Sequence, residues 1–256
     1  KKVKMAKILI TNDDGYRAAG LNALIEFIDP IADIVAISSE TEMSGSGHAV
    51  TIKNPLRLRV HEDHYKSIYV SNGTPADNVK LAVNCIFDKF PDLILSGINH
   101  GSNASCNVFY SGTLAAVIEG AMLGIPSIGF SVDSYYKGYD FIIIKDYVTH
   151  IVKKALEFIS LHKENILCLN INFPAIENPR GIKVCRMAKA KWVERFEKRI
   201  DPHGIPYYWL DGDFVFTDEG EDNDEAIVKQ GYISLTPLSL DMTDYNIMDY
   251  LRSWEL

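Results

Sequence analysis

The strongest constraint on this chain is how its apolar residues are spaced over the first 172 positions. Ile8-Leu9-Ile10, Ile34-Val35-Ala36-Ile37, Leu93-Ile94-Leu95 and Ser127 to Val132 are short apolar runs with no polar alternation. Runs of that length read as strands buried on both faces, as in a parallel sheet. Between them, apolar residues recur at helical spacing: Leu21, Leu24, Ile25 and Ile28, then Val79, Val83, Ile86 and Phe87, then Val148, Ile151, Val152, Ala155, Leu156 and Ile159. Pro30 ends the first of these helices. Thr74-Pro75-Ala76-Asp77 starts the second with a cap, a first-turn proline and an acid facing the dipole. A small-residue helix begins at Ser111-Gly112-Thr113, a fourth spans 145–163, and Ile166 to Ile171 reads as a further strand. This strand–helix order predicts an α/β fold: a Rossmann-like, doubly wound, mostly parallel sheet. Val50, Ile52, Leu56, Leu58 and Val60, with Ile68-Tyr69-Val70, predict short antiparallel strands inserted between the parallel ones.

Beyond residue 172 the pattern changes. Segments 182–193 and 207–217 read as an extended C-terminal β-hairpin or arm, and 211–225 carry eight acidic side chains. Arg186, Lys189, Lys191, Arg195, Lys198 and Arg199 surround Trp192 and Phe196, either a polyanion-binding stripe or a solvated arm beside the acids. Gly231 to Leu235 predicts one more strand, and the tail from Asp244 a helix with Ile247, Met248, Leu251 and Trp254 on one face. The expected organisation is a single domain over 1–256. Residues 1–180 form the core that carries the site, 181–230 the hairpin and acidic arm, and 231–256 a strand and helix tail.

The chain has 26 Lys and Arg against 34 Asp and Glu, a net charge of −8. That excludes a duplex nucleic-acid binder or an anionic-membrane binder held by bulk charge. No run of about 18 or more apolar residues occurs, and no signal-peptide core follows Lys1 to Lys7, so no membrane partner is expected. Cys85, Cys106, Cys168 and Cys185 are scattered with no CxxC pair, which suits reduced thiols in the cytoplasm.

Three of the predicted parallel strands end in loops rich in oxygen and glycine. They carry Asn12, Asp13 and Asp14; Ser44, with Gly45 and Gly47; and Asn99. In open α/β sheets, ligands sit outside the carboxyl ends of the strands, so these loops converge on one crevice. Adjacent Asp13 and Asp14 repel in a dry site unless a cation lies between them. Two carboxylates, a hydroxyl and an amide carbonyl are hard oxygen donors that suit Mg2+, Mn2+ or Ca2+ and not zinc. A polar turn is the plainer reading of Asn12 to Gly15. Ser111-Gly112-Thr113 reads as an anion pocket at a helix start or as an ordinary cap. His48 and His100 fall in the same loops and read as proton carriers or as structural histidines. Gly45-Ser46-Gly47 lacks the third glycine of a dinucleotide fingerprint, since position 50 is Val.

Together these motifs resemble the stationary-phase survival protein SurE family of metal-dependent nucleotidases. The resemblance is carried by Ile8 to Gly15 (ILITNDDG), Ser44-Gly45 with His48, Ser71 to Asp77 (SNGTPAD), Ser96 to Asn103 (SGINHGSN), Tyr110 to Thr113 (YSGT) and Gly231 to Thr243. It implies that Asp13, Asp14, Ser44 and Asn99 ligate one divalent cation per subunit, Mg2+ or Mn2+, with Ca2+ as another occupant. It implies that Asn12, Gly45, Asn103, Ser111, Gly112 and Thr113 surround the phosphate. Asp13 and Asn103 are then the catalytic pair. The implied substrates are nucleoside 5′- and 3′-monophosphates, with short polyphosphate as a further candidate. The cation serves as Lewis acid, and either water or an Asp is the nucleophile. A homodimer or homotetramer with an exchanged C-terminal arm is implied as well. A nucleotide-binding module without turnover, or an assembly protein working through its arm, are the rival readings. The chain departs from the family at Ser38-Ser39-Glu40, where Ala-Pro-Asp is usual, and at Ala104-Ser105-Cys106-Asn107, where Leu-Gly-Asp-Asp is common.

Overall fold

Ile8, Leu9 and Ile10 are all fully buried in the computed structural model, and their side chains alternate between two separate apolar clusters. That is what a central strand covered on both faces requires. The structure describes residues 5–62, 66–162 and 164–254. The Lys1 to Lys4 start, and position 163 at the end of the predicted fourth helix, lie outside them.

In chain order the elements are β1 (Lys7–Thr11), α1 (Ala19–Ile28), β2 (Asp33–Ser39), β3 (Leu58–His61), β4 (Ile68–Ser71) and α2 (Pro75–Leu81), which runs into a π-helical turn, Ala82–Ile86. There follow β5 (Leu93–His100), a 3-10 turn at Ser105–Phe109, α3 (Gly112–Met122), β6 (Ser127–Val132), α4 (Lys145–Leu161) and β7 (Cys168–Phe173). The chain closes with β8 (Ile182–Val184), β9 (Ala190–Ile200), β10 (Pro206–Phe216), α5 (Asp224–Lys229), β11 (Ile233–Pro237) and α6 (Tyr245–Leu251). Nine strands form one sheet in the order β3-β4-β2-β1-β5-β6-β7-β11-β8, and β9 and β10 pair separately as an antiparallel hairpin. The pairs from β4 through β7 are all parallel. One apolar cluster packs α1 and α4 against the sheet, and another packs α2 and α3 against the other face. The fold is therefore the α/β doubly wound one, with the C-terminal hairpin. Its strand order reverses between β1 and β5, which opens the crevice at their carboxyl ends.

The cap at Thr74 forms as a full capping box. The Thr74 hydroxyl accepts from Asp77 N–H, and the Asp77 carboxylate accepts from Thr74 N–H. The antiparallel strands expected between the parallel ones are different: β4 joins β2 in parallel, and only β3 is antiparallel, at the sheet's edge. Val50 and Ile52 are in no strand; Ile52 is 88% exposed, because no sheet edge remains there to cover it. The strand expected over 182–193 is broken in two. Ala188 N–H donates to Asp224 Oδ1 (2.9 Å) and Lys189 N–H to Asp218 Oδ2 (3.0 Å). Those two acids turn the chain out of the main sheet and into the hairpin. Among the described residues no helix is long and apolar enough to cross a membrane.

Strand β5 carries the feature that shapes the site. Its register against β6 slips between Ser96 and Asn99, and the Gly97–Ile98 peptide within that stretch is cis. Gly97 has φ +128°, and a Cβ there would lie 2.3 Å from Phe130 O. Helix α1 rests directly on this bulge, since a Cβ at Gly20 would lie 1.9 Å from Ile98 O. Gly to Ala within a helix ordinarily stabilises. Here the sign reverses: Gly20→Ala is expected to cost about 1–3 kcal/mol by overpacking, read as a lower midpoint in urea unfolding. A raised midpoint would show that α1 lifts off Ile98 freely.

Candidate active site

The carboxyl end of β1 delivers Asn12, Asp13 and Asp14 into the crevice. Asn12 is buried and hydrogen-bonded at both ends of its amide: Nδ2 donates to Gly15 O (3.0 Å), and Oδ1 accepts from the Ser38 hydroxyl (2.5 Å). It braces the turn. Asp13 is buried at the N-terminus of α3, where its Oδ1 accepts from the Thr113 hydroxyl at 2.5 Å. Burial pushes its carboxyl above the ordinary range although the Thr113 hydroxyl and backbone N–H pull the other way. Only glycine at position 112 lets the carboxylate in: a Cβ there would lie 2.7 Å from Asp13 Cβ and 2.9 Å from its Oδ2. Asp14 is pushed up to about 7, first by burial and then by the neighbouring Asp13. Its Oδ2 is buried, with no hydrogen-bond partner among the described residues.

A second loop carries Ser44. Met43 N–H donates to Asp13 O (2.8 Å) and Gly47 N–H to Tyr110 O (3.1 Å), so the loop is tied to the Asp13 and Ser111 segments by backbone. His48 Nε2 lies 2.9 Å from Glu119 Oε2, and Lys80 Nζ lies 2.5 Å from Glu119 Oε1. Glu119, buried on α3, thus pins the far end of the loop. Ser44 itself is exposed, its hydroxyl donating to Glu42 at 2.8 Å.

The bulged end of β5 supplies Asn99, which donates through Nδ2 to Gly101 O (2.9 Å). Its carbonyl oxygen has no partner among the described residues. Asn103 is held by a buried polar lattice. Its N–H donates to Asn172 Oδ1 (2.8 Å), its carbonyl accepts from Asn170 Nδ2 (2.9 Å), and its own Nδ2 donates to Ser131 Oγ (2.8 Å). Ser111 caps α3, accepting from Leu114 N–H at 3.1 Å.

Asp13, Ser44, Gly45, Asn99, Asn103 and Ser111 all line one cavity of about 200 Å3. Asn12, Asp14, Gly112 and Thr113 do not line it; Asn12, Gly112 and Thr113 shape the wall by fixing Asp13 and its turn. His100, Asn107, Tyr110, Tyr135 and Trp192 are further wall residues. His100, Tyr110 and Trp192 stand in segments that the sequence singles out, Trp192 as part of a basic stripe and not of this wall; Tyr135, Asn170 and Asn172 were missed altogether. Two asparagines in alternation within an apolar strand were the available signal, since buried amides need partners. A larger cavity of about 660 Å3 lies next door, sharing Ser111 and lined mainly by apolar groups, including Val108, Ile118 and Leu240. It has no carboxylate in its wall, so chemistry, not size, selects the smaller one.

The residues fit a hard cation. Two adjacent carboxyls are raised by burial, the Asp14 one has a buried orphan oxygen behind the wall, and an amide oxygen and a hydroxyl stand with Asp13 in the wall itself. Among the described residues no cluster of three or more His, Cys, Asp or Glu gathers.

Comparison with known proteins bears on this arrangement. The family described as Survival protein SurE matches residues 8–194. The chain is 45% identical over 253 residues to a 5′-nucleotidase SurE of Flavobacterium psychrophilum, covering 97% of each. It is 41% identical over 261 residues to a 5′-nucleotidase SurE of Christiangramia forsetii, covering 99% of this chain and 98% of that one. The crystal structure of the SurE protein from Aquifex aeolicus superposes with a TM-score of 0.79 at 39% identity, covering 96% and 98%.

Carboxyls raised in the native state keep protons that the unfolded chain has already released, so stability falls as pH rises through the interval. In chelator, the melting temperature is expected to fall between about pH 5 and about pH 8, and Asp14→Asn should flatten part of that slope. Added Mn2+ should raise the melting temperature, more at the upper pH than at the lower. A Mn2+ effect independent of pH would count against a cation replacing those protons.

Proposed function

The chain belongs to the SurE survival-protein family, and from that premise we propose that it is a divalent-cation-dependent 5′-nucleotidase, hydrolysing nucleoside monophosphates to nucleoside and phosphate. The carrying observation is the pair of adjacent carboxyls at the switch point of the sheet, Asp13 buried and Asp14 half-buried with one buried, orphaned oxygen. Asp13, Asp14, Ser44 and Asn99 would hold the cation. When bound, it supplies positive charge against a phosphate oxygen, acting as a Lewis acid.

The remaining work falls to the chain's own groups. Asp13, its Oδ1 fixed by Thr113, orients the attacking water. Water adds to phosphorus and gives up one proton, the P–O bond to the nucleoside breaks, and the leaving oxygen takes up a proton in its place, so that nucleoside and hydrogen phosphate result. Asn103 steadies the charge that develops on the phosphoryl group through the second hydrogen of Nδ2, the first being spent on Ser131. Ser111, whose oxygen already accepts from Leu114, keeps its O–H to donate to phosphate. The amide of Gly45, in the same wall, is a further donor. Gly112 and Thr113 contribute by seating Asp13, and Asn12 by bracing the turn.

The wider reading is a single domain whose 1–180 core carries the site, in a homodimer or homotetramer. Helix α6 buries none of its residues, and Phe196, Tyr208, Trp209 and Leu210 on the hairpin are exposed. Those faces support a second copy as their cover. Four free cysteines support a reducing, cytoplasmic setting.

Phosphate release from adenosine 5′-monophosphate should require Mg2+ or Mn2+ and stop in EDTA. Asp13→Asn should abolish the metal-stimulated rate, and Asn103→Ala should lower kcat by about 10²–10³-fold, with circular dichroism unchanged in both. Full turnover in chelator would overturn the proposal.

A further inference from the structure

We propose that Trp192 is the platform on which the nucleobase of the substrate stacks; this rests on the nucleotidase reading above. The cation-side cavity, at about 200 Å3, is smaller than the roughly 300 Å3 or more that encloses a drug-sized ligand. It takes the phosphate and sugar, and the base is left at the mouth. Three aromatic rings belong to that wall: Tyr110 at 53% exposure, Tyr135 at 80% and Trp192 at 41%. Apart from His100, Asp13 is the only titrating carboxyl or basic group in the wall, so the mouth suits a flat, uncharged group.

Trp192 is the ring held in place. Its indole N–H donates to Asn107 Oδ1 at 3.0 Å, and Phe214 on β10 meets it edge-on, centroids 5.3 Å apart at 61°. A partly exposed indole fixed at its polar edge and braced by a neighbouring ring loses little freedom on binding, which is what makes a good stacking surface. Tyr135 lies against the Gly101 backbone, where a Cβ would fall 2.6 Å from the ring's Cε1. It flanks the same opening. Because every base has a π-face, the platform favours nucleotides over base-free phosphate esters without choosing strongly among bases.

The test compares adenosine 5′-monophosphate with ribose 5-phosphate on the full chain with Mn2+. Base–aromatic stacking is worth about 1–3 kcal/mol by alanine substitution, or about 5- to 150-fold. Trp192→Ala should therefore raise KM for the nucleotide by that factor, leave kcat within about twofold, and shift KM for ribose 5-phosphate by less than about twofold. Trp192→Phe should recover most of the loss. An equal loss on both substrates would show that the ring merely holds the hairpin against the loop, and no loss on the nucleotide would remove it from the site; either overturns the inference alone. Wild-type protein that turns over neither substrate would overturn the nucleotidase reading with it.

Discussion

Everything at the mouth of this sheet depends on placing a carboxylate, Asp13, out of water at the N-terminus of α3. Burial penalises the charge, and the helix answers with the Thr113 hydroxyl and N–H and with its dipole. The answer is incomplete, since burial still wins and the carboxyl stays raised. Asp14, the next residue, deepens the imbalance. A site that stays short of positive charge in this way has a standing affinity for a cation. The shortage also accounts for a chain of net charge −8 handling a phosphate. A cation held there would reverse the field locally, whatever the bulk charge of the surface.

The rest of the crevice is built by backbone more than by side chains. Gly112 permits the approach of Asp13 to α3, and Gly97 permits the bulge that presents Asn99. Met43 and Gly47 tie the Ser44 loop down through their N–H groups, while the Ser44 side chain remains exposed. The His48–Glu119–Lys80 cluster then fixes that loop to two helices at once. Rigid supports around one exposed hydroxyl leave the Ser44 side chain free to turn without disturbing the core, which suits the ligand role proposed for it.

The parallel strands were legible because a strand buried on both faces leaves an unbroken apolar run, as Ser127 to Val132 does over the whole of β6. Thr74 and Asp77 were legible because a capping box is local in sequence. What sequence could not disclose was long-range. Thr113 reads as a phosphate neighbour until its hydroxyl is found on a carboxylate 100 residues away. Asn12 reads as a phosphate neighbour, and its bracing of the turn through Gly15 and Ser38 is seen only in the structure. The edge position of β3 depends on which strand β4 pairs with, and the pattern at 50–70 carries no information on that. The break in the 182–193 strand depends on acids lying about thirty residues further on.

Those acids also explain a segment in which the chain leaves its family's usual pattern, Ala104-Ser105-Cys106-Asn107. Ser105 takes φ +56°, rare for a residue with a side chain, and its N–H donates to Asp224 Oδ2 at 2.9 Å while its hydroxyl donates to Ala188 O at 3.0 Å. Asp224 accepts from Ala188 N–H with its other oxygen. One buried carboxylate thus joins the loop that follows Asn103 to the foot of the hairpin. Asn107 makes the second joint, to Trp192. Two residues in four are committed to holding the arm against the site. A glycine at position 105 could not make the hydroxyl bond to Ala188 O, whereas an aspartate at 107 would still accept from the indole N–H and would place a negative charge beside the ring. The departure therefore adds one hydrogen bond between this loop and the foot of the hairpin, at Ser105, and leaves the acceptor beside Trp192 uncharged, at Asn107.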